Sequence, residues 1–114
     1  MSTDVQYYFA VWAPDYADAD GLKRRLEQRP HHLTGMQAHT ASGTLVTGGA
    51  FVDEASLPAS VTAKKMEGSM MIFKARSLEE VKKIIEVDPY WVNNVWDKEK
   101  LEIRPWIAAK PLNV

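Results

Sequence analysis

The strongest constraint on the fold is a short aromatic segment near the N-terminus that is apolar on both sides. Residues 5–12 are rich in aromatic and β-branched side chains, a composition typical of a β-strand, and Pro14 ends the segment. Alternation along a strand sorts the side chains into two rows, Tyr7, Phe9 and Val11 on one side and Tyr8, Ala10 and Trp12 on the other. Helices can cover one side of a sheet, so the second side needs another partner.

Length and composition restrict the class of protein. A chain of 114 residues with 46% hydrophobic content predicts one domain, residues 1–114, with a modest core. The net charge is -1, which predicts neither a nucleic acid nor a membrane as partner. The absence of cysteine excludes disulfides, thiolate metal ligands and a cysteine nucleophile. Without a secretory signal or a membrane-length apolar run, we expect a soluble cytoplasmic protein.

Helical periodicity identifies the first helix. It starts near residue 18 and ends near Ser42, with Pro30 as a kink or a restart. Its apolar residues fall on one stripe that we expect to be buried: Leu22, Leu26, Leu33 and Met36. The phase of that stripe puts His31 nearly opposite it, in solvent, and His32 on its flank, half-buried.

The rest of the chain alternates strands with one more helical region. Three further strands are predicted over residues 44–51, 68–75 and 101–108. Residues 53–65 read as a loop, and residues 110–114 as a loose tail. Ser77 and Glu80 form a capping box that opens the second helix.

Asp88 and His32 are the candidate proton-transfer residues. Asp88 and Pro89 start a short helix that runs to about residue 95. The phase of the preceding helix places Asp88 within an apolar stripe, where an ionised carboxylate is costly without a partner, and His32 would be such a partner. Two simpler roles are also open: Asp88 could serve only as the helix cap, and His32 could be a histidine that only packs at a helix edge.

The order strand, helix, strand, strand, helix, strand predicts an α+β fold of the ferredoxin-like βαββαβ type. In that fold a four-stranded antiparallel sheet carries both helices on one face. RNA-binding domains share the topology, but residues 68–73 offer mostly aliphatic side chains, which disfavours that function. A second copy of the same sheet would cover the open face, so we predict a face-to-face homodimer.

Several motifs carry a family resemblance that extends over nearly the whole chain. In order they are His32-Leu33, a glycine-rich second strand, a capped helix after the third strand, Asp88-Pro89-Tyr90, and Arg104-Pro105-Trp106. Together they resemble the YCII (YciI-like) family, within the dimeric α/β-barrel superfamily. The resemblance implies a dimeric α/β barrel with His32 and Asp88 as the active site, and one branch of the family eliminates HCl from a chlorinated hydroxyquinol. The chain departs from the family at Gly48-Gly49-Ala50, where a Gly-Pro pair is usual.

We therefore predict a small enzyme in which His32, oriented by Asp88, moves a proton on a small aromatic or hydrophobic substrate. Elimination, isomerisation and decarboxylation all fit such a site. The expected substrate pocket has five lining residues: Tyr8, Gly48, Gly49, Tyr90 and Trp106. His31, His32 and His39 lack a metal-binding spacing, and no phosphate loop or dinucleotide fingerprint is present, so we expect neither metal nor cofactor. The alternative is a non-catalytic ligand-binding or regulatory homodimer with the same fold.

Overall fold

Four strands form one antiparallel sheet in the computed structural model, which describes residues 5–112. The strands lie in the spatial order β2-β3-β1-β4 and are β1 (Tyr7–Pro14), β2 (Leu45–Val52), β3 (Met66–Ala75) and β4 (Glu102–Trp106). The helices of the described residues are α1 (Gly21–Ala41), α2 (Leu78–Val87), α3 (Pro89–Val92) and a 3-10 turn within the predicted loop (Glu54–Ser56). All three strand pairs are antiparallel, and helices occupy both crossovers. The predicted ferredoxin-like βαββαβ arrangement is therefore confirmed.

Two of the sequence predictions reach past the part of the chain that the structure describes. The proposed single domain, residues 1–114, includes residues 1–4, and the proposed loose tail, residues 110–114, includes residues 113 and 114; these six lie outside the described residues. Between residues 5 and 112, no helix has both the length and the apolar character needed to cross a bilayer.

Side-chain alternation in β1 puts the core on one face of the sheet. Phe9, Val11 and Ala13 are at most 4% exposed and face the helices. Val81 and Ile85 of α2 pack against the same face and are almost fully buried, as expected for one stripe of an amphipathic helix. Each of the larger side chains among them, Phe9, Val11, Val81 and Ile85, contributes about 1.5–3 kcal/mol when it is removed from water. This face of the sheet therefore fixes where the helices lie.

The buried stripe of α1 differs from the predicted one. Leu26 and Leu33 are 51% and 39% exposed, whereas four other residues of the helix are buried: Gly21, Arg25, His32 and Met36. Three of its four positions lie one residue before the predicted ones, whereas Met36 is buried as predicted. The prediction was wrong for Leu26 and Leu33 because Arg25 and His32 are buried with polar partners, and a stripe chosen by hydrophobicity passes over them. The helix also continues through Pro30 without a restart.

The second face of the sheet carries exposed aromatic side chains. Trp12 is 48% exposed and stacks on Phe51, with ring centroids 4.4 Å apart and ring planes 9° from parallel. Tyr8 and Trp106 meet edge to face, with centroids 6.2 Å apart. Gly68 lies directly beneath Phe51, and a β-carbon at this position would collide with the ring. Glycine is therefore favoured at position 68, because the Phe51 ring occupies the space that a β-carbon would take.

Replacing Gly68 with alanine should destabilise the fold, because the Phe51 ring is already stacked on Trp12 and cannot move aside freely. We expect a loss of roughly 1–3 kcal/mol in the free energy of unfolding, as for overpacked cores. The matched control is Gly49→Ala on the neighbouring strand, where nothing lies within 4 Å of an added β-carbon. Urea denaturation of the two variants measures the difference, and equal stabilities would contradict the packing argument.

Candidate active site

His32 and Asp88 are in direct contact, although 56 positions separate them in the sequence. The Nδ1 atom of His32 lies 3.0 Å from Oδ1 and 2.9 Å from Oδ2 of Asp88. His32 sits on the buried stripe of α1, and Asp88 sits at the junction of α2 and α3. Both side chains are at least 90% buried. The fold thus brings the two residues together in a protected position.

Asp88 has a second partner, the backbone of the helix that it starts. Its Oδ1 atom accepts a hydrogen bond of 2.8 Å from the backbone N–H of Tyr90, and Pro89 occupies the first turn of α3. Aspartate at such a position is a good N-cap. The carboxylate therefore caps α3 and binds His32 at the same time, and the cap holds it in a fixed orientation toward the imidazole.

The contact with Asp88 determines which nitrogen of the imidazole is free. An ionised carboxylate only accepts hydrogen bonds, so in the neutral ring Nδ1 carries the proton and Nε2 carries the lone pair. Between residues 5 and 112, no hydrogen-bond partner is found for Nε2, and this atom is not among the fully enclosed unpartnered ones. The ring plane stacks on Tyr90 at 4.0 Å between centroids, and its edge meets Trp96 at 5.7 Å. The imidazole is thus fixed in position and open at Nε2.

A cavity of about 280 Å³ adjoins His32, between α1 and the strands β2 and β3. The residues that line it are Arg25, Arg29, His32, Leu33, Met36, Leu45, Gly48, Gly49, Ala50, Ser69, Met71 and Tyr90. At Gly48 a β-carbon would lie 3.1 Å from the Met71 side chain, so glycine lets this part of β2 approach β3 closely. At Gly49 an added β-carbon would meet nothing within 4 Å. The glycine pair therefore forms a thin wall of the cavity.

Buried polar side chains form a hydrogen-bonded network at the cavity wall. Arg25 donates from Nη1 to both carboxylate oxygens of Asp15, at 2.8 and 3.0 Å, and from Nη2 to Ser69 Oγ at 2.9 Å. Ser69 Oγ also accepts a hydrogen bond from Trp96 Nε1 at 3.2 Å. The guanidinium lies over the Tyr90 ring, 4.7 Å from its centroid. Arg25, Tyr90 and His32 thus form one continuous stack beside the cavity.

Burial raises the pKa of two groups that contact Arg25. It raises the pKa of the Asp15 carboxyl above its usual value, and the adjacent Arg25 guanidinium opposes that rise. Burial likewise raises the pKa of the Tyr90 phenol, against the opposing effect of Arg25 and Arg29. Tyr90 therefore remains a neutral phenol at neutral pH.

The structure brings three of the five predicted pocket residues to the His32 cavity and leaves two elsewhere. Gly48, Gly49 and Tyr90 line the cavity. Tyr8 and Trp106 do not: they pair across β1 and β4 on the opposite face of the sheet and line a separate depression at its edge. This part of the prediction is corrected because odd and even positions of β1 face opposite sides, and only the odd ones face the helices.

The other histidines also have definite positions. His31 is exposed, as predicted, and His39 is half-buried with its ring edge toward Phe73, outside the cavity. Within the described residues, no group of three or more histidine, aspartate or glutamate side chains is arranged to hold a metal ion.

Sequence reasoning missed the buried polar residues that support the site. Arg25, Ser69 and Trp96 were not predicted to take part. A signal for Arg25 was present, because Gly21, Arg25, His32 and Met36 follow one another at intervals of four, seven and four residues on one helical stripe. Ser69 had no comparable signal, since a serine in a strand is common in any sheet.

The fold and the site define a ferredoxin-like α+β protein with a buried His–Asp pair at the wall of a ligand-sized cavity. The chain belongs to the YCII-related domain family, whose model matches residues 8–107. This finding agrees with the resemblance seen in the sequence motifs.

The chain is also similar to individual proteins and to one solved structure. Fusaric acid biosynthesis protein 2 of Gibberella fujikuroi is 30% identical over 106 residues, which cover 93% of this chain and 97% of that protein. Aspartate kinase FUB3 of Fusarium oxysporum f. sp. lycopersici is 29% identical over 113 residues, but this chain spans only 20% of the kinase. The structure of 5-chloro-2-hydroxyhydroquinone dehydrochlorinase (TftG) from Burkholderia phenoliruptrix AC1100, in complex with 2,5-dihydroxybenzoquinone, has a TM-score of 0.73 and 21% identity, covering 88% of this chain and 93% of that chain. At that identity the structural match shows the shared fold.

Replacing Asp88 with asparagine should separate its two roles. Asparagine caps a helix about as well as aspartate, so we expect the melting temperature to change little, whereas Asp88→Ala loses cap and partner together. Loss of the negative charge should weaken the preference for a proton on Nδ1, so the Nε2–H tautomer of His32 should become more populated. Ring ¹⁵N chemical shifts measure the tautomer and circular dichroism measures stability. An unchanged tautomer in Asp88→Asn would show that the carboxylate charge does not orient the imidazole.

A second prediction concerns the buried ion pair. Asp15→Asn leaves the Arg25 guanidinium buried without a counter-charge, so we expect a loss of about 3–5 kcal/mol in the free energy of unfolding. Asp18→Asn is the matched control, because Asp18 forms the same type of pair with Arg24 in solvent and should matter little. Chemical denaturation compares them, and similar losses in both variants would contradict the role assigned to burial.

Proposed function

We propose that this protein is a cofactor-independent enzyme that transfers a proton on a small aromatic or hydrophobic substrate. The observation that carries the proposal is the His32 imidazole, held at Nδ1 by Asp88 and free at Nε2 beside a cavity. A positioned general base of this kind contributes about 10²–10⁴-fold to a rate. Elimination and isomerisation are the reactions that such a site serves most directly.

The contacts of the dyad support a specific sequence of events. Nε2 of His32 accepts a proton from the substrate, and the ring becomes an imidazolium with a proton on each nitrogen. The Asp88 carboxylate stabilises that positive charge through the contact to Nδ1. The N–H of Tyr90 keeps the carboxylate in place during the transfer. In an isomerisation the proton then returns from Nε2 to another atom of the substrate. In an elimination the leaving group departs with its bonding electrons, as chloride does, and the imidazolium releases the proton to water.

The size of the cavity supports a substrate with one ring. A dry cavity of about 150 Å³ holds a benzene molecule, and this cavity has about 280 Å³. That volume suits a single ring with polar substituents. The names of two similar proteins support the same class of substrate, because one acts on a chlorinated hydroxyhydroquinone and the other belongs to fusaric acid biosynthesis.

We also propose that a second copy of the chain covers the open face of the sheet. Trp12 and Met70 on that face are 48% and 43% exposed. Apolar patches of this kind are uncommon on a monomer unless they bind a partner. A face-to-face homodimer would bury them and form the dimeric barrel expected from the family resemblance.

Chloride release from 5-chloro-2-hydroxyhydroquinone tests the catalytic proposal. We expect the wild-type chain to accelerate the release, and His32→Gln to lower the rate by about 10²-fold or more. His31→Gln is the matched control, because His31 is the neighbouring residue and points to solvent, so its rate should be unchanged. Binding of the compound with no chloride released by the wild type would favour the non-catalytic ligand-binding alternative. Equal losses in both histidine variants would contradict the assignment of the base.

The dimer is tested by light scattering coupled to size-exclusion chromatography. We expect the wild type to elute with twice the mass of one chain, and Trp12→Glu to elute as a monomer, because it places a charge in the centre of the apolar face. Leu57→Glu is the control, since Leu57 is 68% exposed but lies in the turn after β2. A wild-type monomer at micromolar concentration would overturn the proposal.

A further inference from the structure

The cavity beside His32 has a one-sided charge. Its lining includes Arg25, Arg29 and His32, but no aspartate or glutamate. The two carboxylates of the site do not line the cavity: Asp15 contacts Arg25, and Asp88 contacts His32. A cleft whose wall carries only one sign of charge concentrates ligands of the opposite sign.

Arg29 is the cation of this wall that has no counter-charge. Arg25 is paired with Asp15, and His32 is paired with Asp88. For Arg29, an exposed residue at the mouth of the cavity, no ion pair or side-chain hydrogen bond is found within the part of the chain that the structure describes. Its charge is therefore available to a ligand.

The helix places these three groups in a row. Arg25, Arg29 and His32 are separated by four and three residues, which puts them on successive turns of one face of α1. Arg29 is thus one turn from His32 and one turn from Arg25. A ligand of one-ring size can contact Arg29 with one end while its other end lies at Nε2 of His32.

Among the residues that the structure describes, Arg25 has one unpaired donor besides its two partnered nitrogens. Its Nε–H group is buried and has no hydrogen-bond partner within the described residues. Its other two nitrogens donate to Asp15 and Ser69. Unpaired buried donors are rare in folded proteins and call for an explanation. This atom is enclosed by protein, so the unpaired donor belongs to the packed layer and not to the surface that a ligand can reach.

From these observations we infer that the ligand is a single-ring molecule with an anionic oxygen group, a carboxylate or an ionised ring hydroxyl, which binds Arg29 at the mouth of the cavity. The planar guanidinium matches such a group through two parallel hydrogen bonds. The inference rests on the proposed function only in taking the His32 cavity as the ligand site. Arg29 then positions the ligand and selects for its negative charge, while His32 performs the proton transfer.

Binding of benzoate and benzamide tests the inference, because the two molecules have nearly the same shape and differ in charge. In NMR titrations, we expect benzoate to bind the wild type more tightly and to shift signals of residues that line the cavity. Arg29→Gln should weaken benzoate by about fivefold or more, as for loss of a charge-assisted hydrogen bond near the surface, and leave benzamide within twofold. Glutamine is a good helix former, so the helix is preserved.

Lys23→Gln is the matched control, because it removes the same charge from an exposed position of α1 that does not line the cavity. It should leave the benzoate affinity unchanged. Three results would overturn the inference: equal affinity of the wild type for benzoate and benzamide, equal weakening by the two variants, or absence of benzoate binding. If inorganic phosphate binds as tightly as benzoate, the cavity is a general anion site, and the inference that its ligand contains a single ring is overturned.

This test is independent of catalysis. Charge-selective binding can be present when no chloride is released, and chloride can be released by an enzyme that binds benzoate and benzamide equally. His32→Gln extends the separation, since we expect it to keep the preference for benzoate even where turnover is lost. A failure of the proposed chemistry and a failure of the proposed ligand class therefore give different results.

Discussion

Two buried carboxylates hold the first helix in place, and the site depends on both. The face that α1 turns toward the interior carries Arg25 and His32 rather than leucines. A buried charge without a partner is strongly destabilising, so this face can dock only where Asp15 and Asp88 meet it. Asp15 directly follows β1, and Asp88 directly precedes α3. The two contacts therefore connect the helix to the first and the last third of the chain.

The same contacts hold the His32 imidazole in one orientation. His32 is held on its Nδ1 side by a carboxylate, on one ring face by Tyr90 and at its edge by Trp96. Tyr90 also supplies the backbone N–H that fixes the carboxylate. One short segment, residues 88–90, thus provides both the partner and the stacking surface of the imidazole. This capped turn positions the imidazole because the Asp88 carboxylate and the Tyr90 ring belong to the same short helix and both contact His32.

The sequence predicted the fold well and the site in part, for physical reasons that differ between residues. Alternation and helical periodicity are strong in β1 and α2, so the order of elements and the packing face follow from local patterns. Asp88 was identifiable because Asp-Pro is a helix start and its phase demanded a partner. Tyr8 was misplaced because alternation separates it from Phe9 and Val11, but only the packing of the helices shows which of the two faces borders the cavity. Arg25 was missed because a charged residue is expected in solvent, although it shares a helical stripe with His32 and Met36, and its burial depends on the distant Asp15.

β2 lies at the edge of the sheet, so substitutions in it affect the cavity wall more than the interior. β2 has a single neighbouring strand, and its segment of residues 48–50 forms the outer wall of the cavity. Ala50, paired with Ser69, points to the cavity side of β2, where a larger side chain would reshape the wall. His32 and Asp88, in contrast, are enclosed by packed interior residues. In related chains with this architecture, the edge strand can therefore vary while the enclosed His32–Asp88 pair is kept.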